Sequence, residues 1–502
     1  MAVIRGLTIE RLTTAILFLL LFAMAVRVPL DTDTWWHIRT GELIAETGRV
    51  PKVDTFSHTR AGQEWIDHSW GAQVVIYGVY RLFGGSGAVG DSGNIGLALY
   101  TAALATVGMA LVYRMCDGNA YLRAFVVVLG ATAAAVFWSP RPQMFSFFFG
   151  ALTLYVLHLY KREGIDRLWV IPPLMVLWAN LHGGFAIGFI FLFGTLLGES
   201  LAALLAPEDP WSVGWAGVRR LALVTAVAIP AVALNPYGLR MLAVPFQTLG
   251  IGALQDFIQE WASPDFHEPQ VWPFAALLIG LLGAAGLSIR RIDWSDLVLT
   301  SGTALMALMS GRNIAVFALV ATPVLSRHVN DWLNERGWRI RPLRRVSRTQ
   351  SAINWLLLAL VLFGAITKAA VALNAETMRE AQREAFPVEL AAHLRDAPPR
   401  GNLFNSYNWG GYLLFAAPNV PVYVDGRTDL YDDEFLRRYL SISLGRDGWD
   451  ESLDEQGIAA IAIEGQSILA QLLRERPEQW RESPFDDGRS ALFERVRSAD
   501  AS

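Results

Sequence analysis

The sequence predicts an α-helical polytopic membrane protein of about eleven spans, followed by a small C-terminal extracytoplasmic α/β domain. Three observations lead there. The 502 residues are 53% hydrophobic and only 18% charged, with a mean hydropathy of +0.33, which is too apolar for an ordinary soluble chain. Arginines concentrate in alternate connections between apolar runs, the pattern of cytoplasmic loops. Beyond residue 373 the chain turns charged, Pro-punctuated and mixed in pattern. A net charge of -4 supplies no basic field for nucleic acid, so no nucleic-acid partner is expected. The single cysteine, Cys116, excludes a disulfide within the chain and a cysteine-based metal site.

The first apolar run, residues 12–30, follows Arg5 and Arg11, which places the N-terminus in the cytoplasm. Ala23-Met24-Ala25 also has the small residues of a signal-peptidase site, leaving cleavage of this segment open. Three stretches then read as helical hairpins. Residues 121–158 turn at SPRPQ, 168–205 at NLHGG, and 292–329 at SGRN; Gly, Pro and polar residues interrupt each run near its middle. Lys161, Arg162 and Arg167 lie between the first two, Arg290 and Arg291 precede the third, and residues 327–348 hold seven arginines against two acids. Both ends of each hairpin are therefore cytoplasmic. Single spans near 92–114, 221–234, 271–287 and 353–373 complete the count. The domains expected are thus 1–373, transmembrane, with 31–91 as the first outer loop, and 374–502, outside the cytoplasmic (plasma) membrane.

This topology gathers the polar motifs on one side. DTDTWWHIRTGE (31–42), WIDHSW (65–70), SPRPQ (139–143), NLHGG (180–184), NPYG (235–238), IQEWASPDFHEP (258–269) and SGRN (310–313) all face outward, with the C-terminal domain. An outward polar cavity is the economical explanation, because ionisable groups at membrane depth line cavities rather than lipid. The candidate residues are Asp31, Asp33, Trp35, His37, Arg39, Asp67, His68, Arg141, His182 and Arg312. Each has a second reading. Trp35 and Trp36 suit the headgroup layer as anchors; Asp31 or Asp33 suits a helix N-cap before Trp35; His182, beside two glycines, suits helix packing with its ring satisfied by a carbonyl; and the arginines suit lipid phosphate or neighbouring helix ends. Residues 31–91 open with a short amphipathic helix and end in VVIYGVYRLF, a helix too short to span and suited to the interface. LFGGSGAVGDSG follows no strand and opens no phosphate-binding helix, so no nucleotide site is expected there.

In the C-terminal region GNLFNSY (401–407), VPVYVDGR (420–427) and GIAAIAIEG (457–465) read as strands, with GGYLLFAA between the first two as a helix. Asp425, Arg427 and Asp429 follow the VPVYV run, the strand end where open α/β sheets gather ligand contacts. An internal ion pair is the competing reading.

An acidic DxD-like element opening the first outer loop, followed by helical hairpins and an outer domain, resembles the GT-C superfamily of membrane glycosyltransferases. Oligosaccharyltransferases, protein O-mannosyltransferases and aminoarabinose transferases share that layout. DTDTWWHIRTGE, SPRPQ, NLHGG, NPYG, NSYNWGGYLL and VDGR resemble more closely a group of bacterial multi-pass membrane proteins placed near those enzymes, whose substrate is unassigned. The resemblance implies that Asp31 or Asp33 acts as base or binds a divalent cation such as Mg or Mn that does so. NSYNWGGY is faintly similar to the oligosaccharyltransferase Trp-Asp-Tyr-Gly element; Asn408 and Gly410 flank Trp409, and without the Asp sequon binding is not implied. The implied partners are a lipid-linked sugar donor, a glycan, lipid or protein acceptor, and membrane lipids. Transfer from a polyprenyl phosphate needs a carboxylate for the acceptor hydroxyl and cations for the departing phosphate. Asp33 is the expected base with Asp31 supporting it. Arg141, Arg312 and His182 are expected at the phosphate, and the tryptophans against sugar or prenyl chain. The runner-up is a non-catalytic lipid-glycan transporter or assembly scaffold using the same cavity. Transporters break their helices at the midplane, whereas these hairpins turn at the rim.

Overall fold

Each of the eleven apolar runs becomes a helix. A computed structural model describes residues 7–252, 260–338, 346–483 and 487–496. The helices are α1 (Ile9–Ala25), α2 (Thr34–Thr47), α3 (Trp70–Leu82), α4 (Gly93–Met115), α5 (Ala120–Ala134), α6 (Gln143–Arg162), α7 (Ile171–Leu181), α8 (Ala186–Leu205), α9 (Gly214–Ala231), α10 (Val244–Leu249), α11 (Trp272–Leu287), α12 (Trp294–Met309), α13 (Ile314–Glu335) and α14 (Arg348–Ala372). Six helical segments are long and apolar enough to cross a bilayer: Gly93–Met115, Ala120–Phe137, Gln143–Arg162, Gly183–Leu205, Pro269–Leu287 and Arg348–Ala372. The others are shorter or carry more charge, so the count of eleven spans remains a proposal. On α14 the side chains of Leu356, Leu360, Phe363 and Ile366 are exposed, as lipid-facing residues are.

The described residues fall into two compact units. One comprises Met1–Arg27, Ala98–Pro245 and Gln255–Leu373; the other comprises Val28–Leu97, Phe246–Leu254 and Asn374–Ser502. Residues 31–91, expected as a loop of the membrane part, thus cluster with the C-terminal region.

In the first unit α13 is the central helix, buried without interruption from Ile314 to His328. It packs against α5, α6, α11 and α12. The third expected hairpin is realised, α12 lying on α13 across the turn at Gly311–Asn313. In the first, α5 and α6 flank the turn at 139–143, α5 packing on α1, α11 and α13, and α6 on α7, α8 and α13. Pairing follows burial of complementary faces rather than adjacency in sequence. The ends of α6, α8, α12 and α13 share a charged network, in which Lys161 meets Glu199 and Asp293, and Arg162 and Arg327 meet Asp296.

The second unit carries α2 and α3 packed together, then α15 (Ala375–Ala385), α16 (Val388–Asp396), β1 (Asn402–Asn405), α17 (Tyr407–Ala416), α18 (Asp433–Ser443), α19 (Trp449–Glu455), β2 (Ile458–Glu464), α20 (Ile468–Arg474), β3 (Trp480–Glu482) and β4 (Ser490–Arg495). The sheet order is β1-β2-β4-β3. β1 pairs parallel with β2, Leu403 opposite Ala460, and β4 runs antiparallel to both β2 and β3. The expected strand at VPVYV is not one. Among the described residues its ladder contact is a lone bridge from Val422 to Ser57, and the Asn405 side chain takes over further along, accepting from Tyr423 N at 2.7 Å and donating to Val424 O at 2.8 Å. An amide side chain supplies the donor and acceptor that a neighbouring strand would have.

Candidate functional site

The DTD turn is built by its own carboxylates and by glycines from the C-terminal segment. Asp31 Oδ1 accepts from Asp33 N at 3.0 Å, an Asx-type brace. Helix α2 begins at Thr34 with Asp33 in the N-cap place, but the Asp33 side chain makes no capping bond. Asp33 thus occupies the N-cap place without capping, and it is half-buried. A Cβ on Gly426 would overlap Asp33 Oδ1 and come within 3.2 Å of Trp36 Nε1. Glycine lets the VDGR backbone lie directly against the acid. Gly410 and Gly411 serve the same purpose on α17: a side chain at Gly410 would meet the Val424 carbonyl, and one at Gly411 would come within 2.6 Å of Thr32 O and 3.2 Å of Trp36. DTDTWWH, NWGGY and VDGR are thus one packed constellation.

Behind it lies a buried charge network. Arg427 donates to Asp425 through Nε at 2.8 Å and Nη2 at 2.7 Å, and to Asp54 Oδ1 through Nη1 at 2.5 Å. Tyr431 OH donates to Asp425 at 3.1 Å, and the guanidinium covers the rings of Trp65 at 4.8 Å and Phe56 at 5.1 Å. Burial works against the Asp54 charge, but Arg427 and the Ser57 hydroxyl hold its carboxyl below the usual range. Arg427, Asp425 and Asp54 are all fully buried at the side chain. Asp425 and Arg427 form an internal ion pair in the loop that carries Gly426.

The remaining residues of the first outer loop form a buried polar chain. Gly41 allows α2 to approach the Gln73 carbonyl on α3; His37, four residues earlier and on the same face, lies 3.4 Å from Gln73 Nε2 through Nδ1. The same Nε2 donates to Asp67 Oδ1 at 2.7 Å. Asp67 is 2% exposed, and burial pushes its carboxyl up to about 7, against Ser69 N and Gln73, which favour the charge. The His37 ring lies 3.6 Å from that of Trp36. His68 accepts or donates at Nδ1 with Ser69 Oγ at 2.9 Å, and its Nε2 is 4.0 Å from Asp429. Arg39 pairs with Glu42 at 2.6 Å. Trp35 is 3% exposed, enclosed by Phe386, Tyr412 and Phe415 at 5.0–5.5 Å. Trp35 is thus packed among rings of its own unit.

The hairpin-turn residues belong to the other unit. Arg141 and Arg312 share one carboxylate, Glu260, at 3.5 Å and 3.9 Å. Arg312 also covers the Trp261 ring at 4.0 Å, and the turn is anchored by Gly311 N to Ala262 O and Arg312 N to Glu260 O, both 3.0 Å. Burial opposes the Glu260 charge, but the two guanidiniums hold the carboxyl below its usual range. The sequence draws notice to this stretch as a motif without singling out Glu260; its residues 258 and 259 lie outside the described set. His182 meets a hydroxyl and a backbone amide through Nδ1. Its Nδ1 lies 2.6 Å from Ser146 Oγ and accepts from Gly184 N at 3.1 Å, while Ser146 accepts from Trp178 Nε1 at 2.7 Å. With two donors on Nδ1, the neutral ring carries its proton on Nε2.

No protein-family model and no curated protein sequence matches the chain. Solved structures do. An archaeal oligosaccharyltransferase, AglB from Archaeoglobus fulgidus, in complex with an inhibitory peptide and a dolichol-phosphate, superposes with a TM-score of 0.57 at 11% identity, over 97% of this chain and 74% of that one. The chain shares the fold of that membrane enzyme. A second Archaeoglobus fulgidus oligosaccharyltransferase structure, tethered to an acceptor peptide containing the NVT sequon, gives a TM-score of 0.55 at 14% identity, over 90% and 69%. A mutant form of the mycobacterial arabinofuranosyltransferase AftD gives 0.52 at 16%, over 98% of this chain and 42% of that one. At these identities the likeness to GT-C enzymes is one of fold.

Proposed function

We propose that this chain is a membrane glycosyltransferase that moves a sugar from a polyprenyl-phosphate donor to an acceptor on the outer face of the plasma membrane. The observation that carries the reading is the placement of Asp33: a carboxylate in the N-cap place without capping, half-buried, and held against Gly426 by two further motifs, within a GT-C fold. Asp33 takes the proton of the acceptor hydroxyl as its oxygen bonds to the anomeric carbon. The bond from that carbon to the phosphate oxygen breaks, and the prenyl phosphate leaves with the electron pair. Arg141 and Arg312, in the other unit, are separate candidates for a lipid phosphate, planar guanidiniums matching phosphate oxygens two at a time. Asp31 positions Asp33 through its backbone amide.

A divalent cation is the family's alternative source of charge neutralisation. Asp31 and Asp33 are the carboxylates that would hold such an ion, since Mg is usually bound through one or two carboxylates together with water and substrate phosphate. The dolichol-phosphate in the archaeal neighbour supports the lipid-phosphate class of donor. The test is reconstitution in liposomes with a radiolabelled polyprenyl-phosphate sugar. Label released from lipid onto an acceptor supports the enzyme; label crossing the bilayer still attached to its lipid, with no transfer, refutes it and favours a transporter.

A further inference from the structure

A second site lies among the ends of α1, α4 and α5, built from residues that the sugar transfer does not use. A cavity of about 550 Å³ opens there, lined by Glu10, Arg11, Thr14, Tyr113, Asn119 and Arg123 among others. α1 and α5 pack directly on each other. Thr14 Oγ1 and Tyr113 OH form a hydrogen bond of 3.0 Å within the wall. Arg123 holds its guanidinium carbon 5.6 Å from the Tyr113 ring, and its Nε is buried with no hydrogen-bond partner among the described residues. An unpaired buried donor on a cation costs free energy until something accepts from it.

Three features select the ligand. The cavity sits where two segments long enough to cross a bilayer end and begin, Met115 and Ala120, which is the depth of lipid headgroups. Its two arginines outnumber the one carboxylate, Glu10. The 15-residue helix α5 starts at the cavity, with Asn119 capping it by accepting from Tyr121 N and Leu122 N at 3.0 and 3.1 Å, so the positive end of its dipole adds to the arginines. We infer that this cavity binds the phosphate of an anionic phospholipid headgroup, with Arg123 and Arg11 as donors and Tyr113 and Thr14 as the hydroxyl wall. Basic pockets between membrane helices at headgroup depth bind such lipids. The inference does not depend on sugar transfer.

The test compares the full chain in nanodiscs of phosphatidylcholine alone with discs containing phosphatidylglycerol, reading lipid retention by native mass spectrometry and thermal stability together. The wild type retains phosphatidylglycerol preferentially. Arg123→Gln and, independently, the exposed Arg11→Gln each lower that preference by about fivefold, and the double variant by about thirtyfold. Arg11→Gln keeps the test decisive if Arg123→Gln fails to fold. Equal retention of the two lipids by the wild type, or a preference unchanged in Arg11→Gln, overturns the site. Stabilisation by inorganic phosphate in phosphatidylcholine discs to the same extent, lost in the same variants, assigns it to a soluble phosphate and overturns the lipid reading.

Discussion

Replacing Asp67 by asparagine removes a buried acid and keeps its shape. The amide carbonyl of the variant can still accept from Gln73 Nε2 and Ser69 N, which lie 2.7 Å and 3.3 Å from the Asp67 carboxylate. Burial, aided by the nearby Asp429 charge and opposed by Ser69, Gln73 and Arg427, raises the Asp67 carboxyl from 3.8 to about 7. Between pH 4 and pH 7 the folded protein therefore holds a proton that the unfolded chain has released. Stability falls with rising pH wherever the native state binds more protons, so the wild type loses stability across that window and levels off above pH 7. At about 1.36 kcal/mol for each pH unit, a window of roughly three makes this about 4 kcal/mol. Asparagine cannot ionise, so Asp67→Asn matches the wild type near pH 4 and is the more stable of the two at pH 8. The assay is thermal unfolding of the purified protein, followed by tryptophan fluorescence, at half-unit steps from about pH 3 to 8.5, a range that brackets both ends of the titration. Parallel curves for the two proteins, or a variant less stable at pH 8, would refute the reasoning.

Three further outcomes are expected. Gly426→Ala, whose backbone is not in the left-handed region, puts a Cβ onto Asp33; displacement of the acid should lower turnover at least ~10-fold and cost about 1–3 kcal/mol in unfolding, and unchanged kinetics would free Asp33 from that contact's control. Arg312→Lys should weaken binding of the prenyl-phosphate donor while leaving acceptor binding nearly unchanged, because an ammonium cannot pair bidentately; lowered thermal stability with unchanged donor affinity would assign Arg312 to packing. Cysteines placed at Gly62 and Gly448 should react with an impermeant reagent from outside, and one at Gly337 should not; labelling of Gly337 would overturn the arginine-based topology.

Helices are the most legible part of the sequence, because a long apolar run declares itself without reference to partners. Their pairing is not legible: α5 and α6 are neighbours in the chain and share α13, but their other partners differ, α1 and α11 for α5, α7 and α8 for α6, and nothing local encodes that choice. VPVYV looks like a strand by composition, yet the Asn405 amide answers its backbone groups instead. The DTD motif stands out by density of charge. What holds it does not, since Gly426 and Gly411 act by leaving space against residues nearly four hundred positions away. Arg427 stands out as chemically unusual, but its partner Asp54 sits in VDTFS with no motif around it. Glu260 is similarly silent, because a bridging carboxylate is visible only once its two arginines are brought together.

The central claim is that Asp33 is the base of a sugar transfer. Its most direct measurement is the rate of transfer from a polyprenyl-phosphate sugar by the wild type and by Asp33→Asn, with thermal stability read on the same preparations. The account predicts a stability within about 1 kcal/mol of the wild type, since Asp33 neither caps α2 nor lies in the buried charge network, and a rate lowered by about 10² to 10⁴. Wild-type turnover in Asp33→Asn would contradict it.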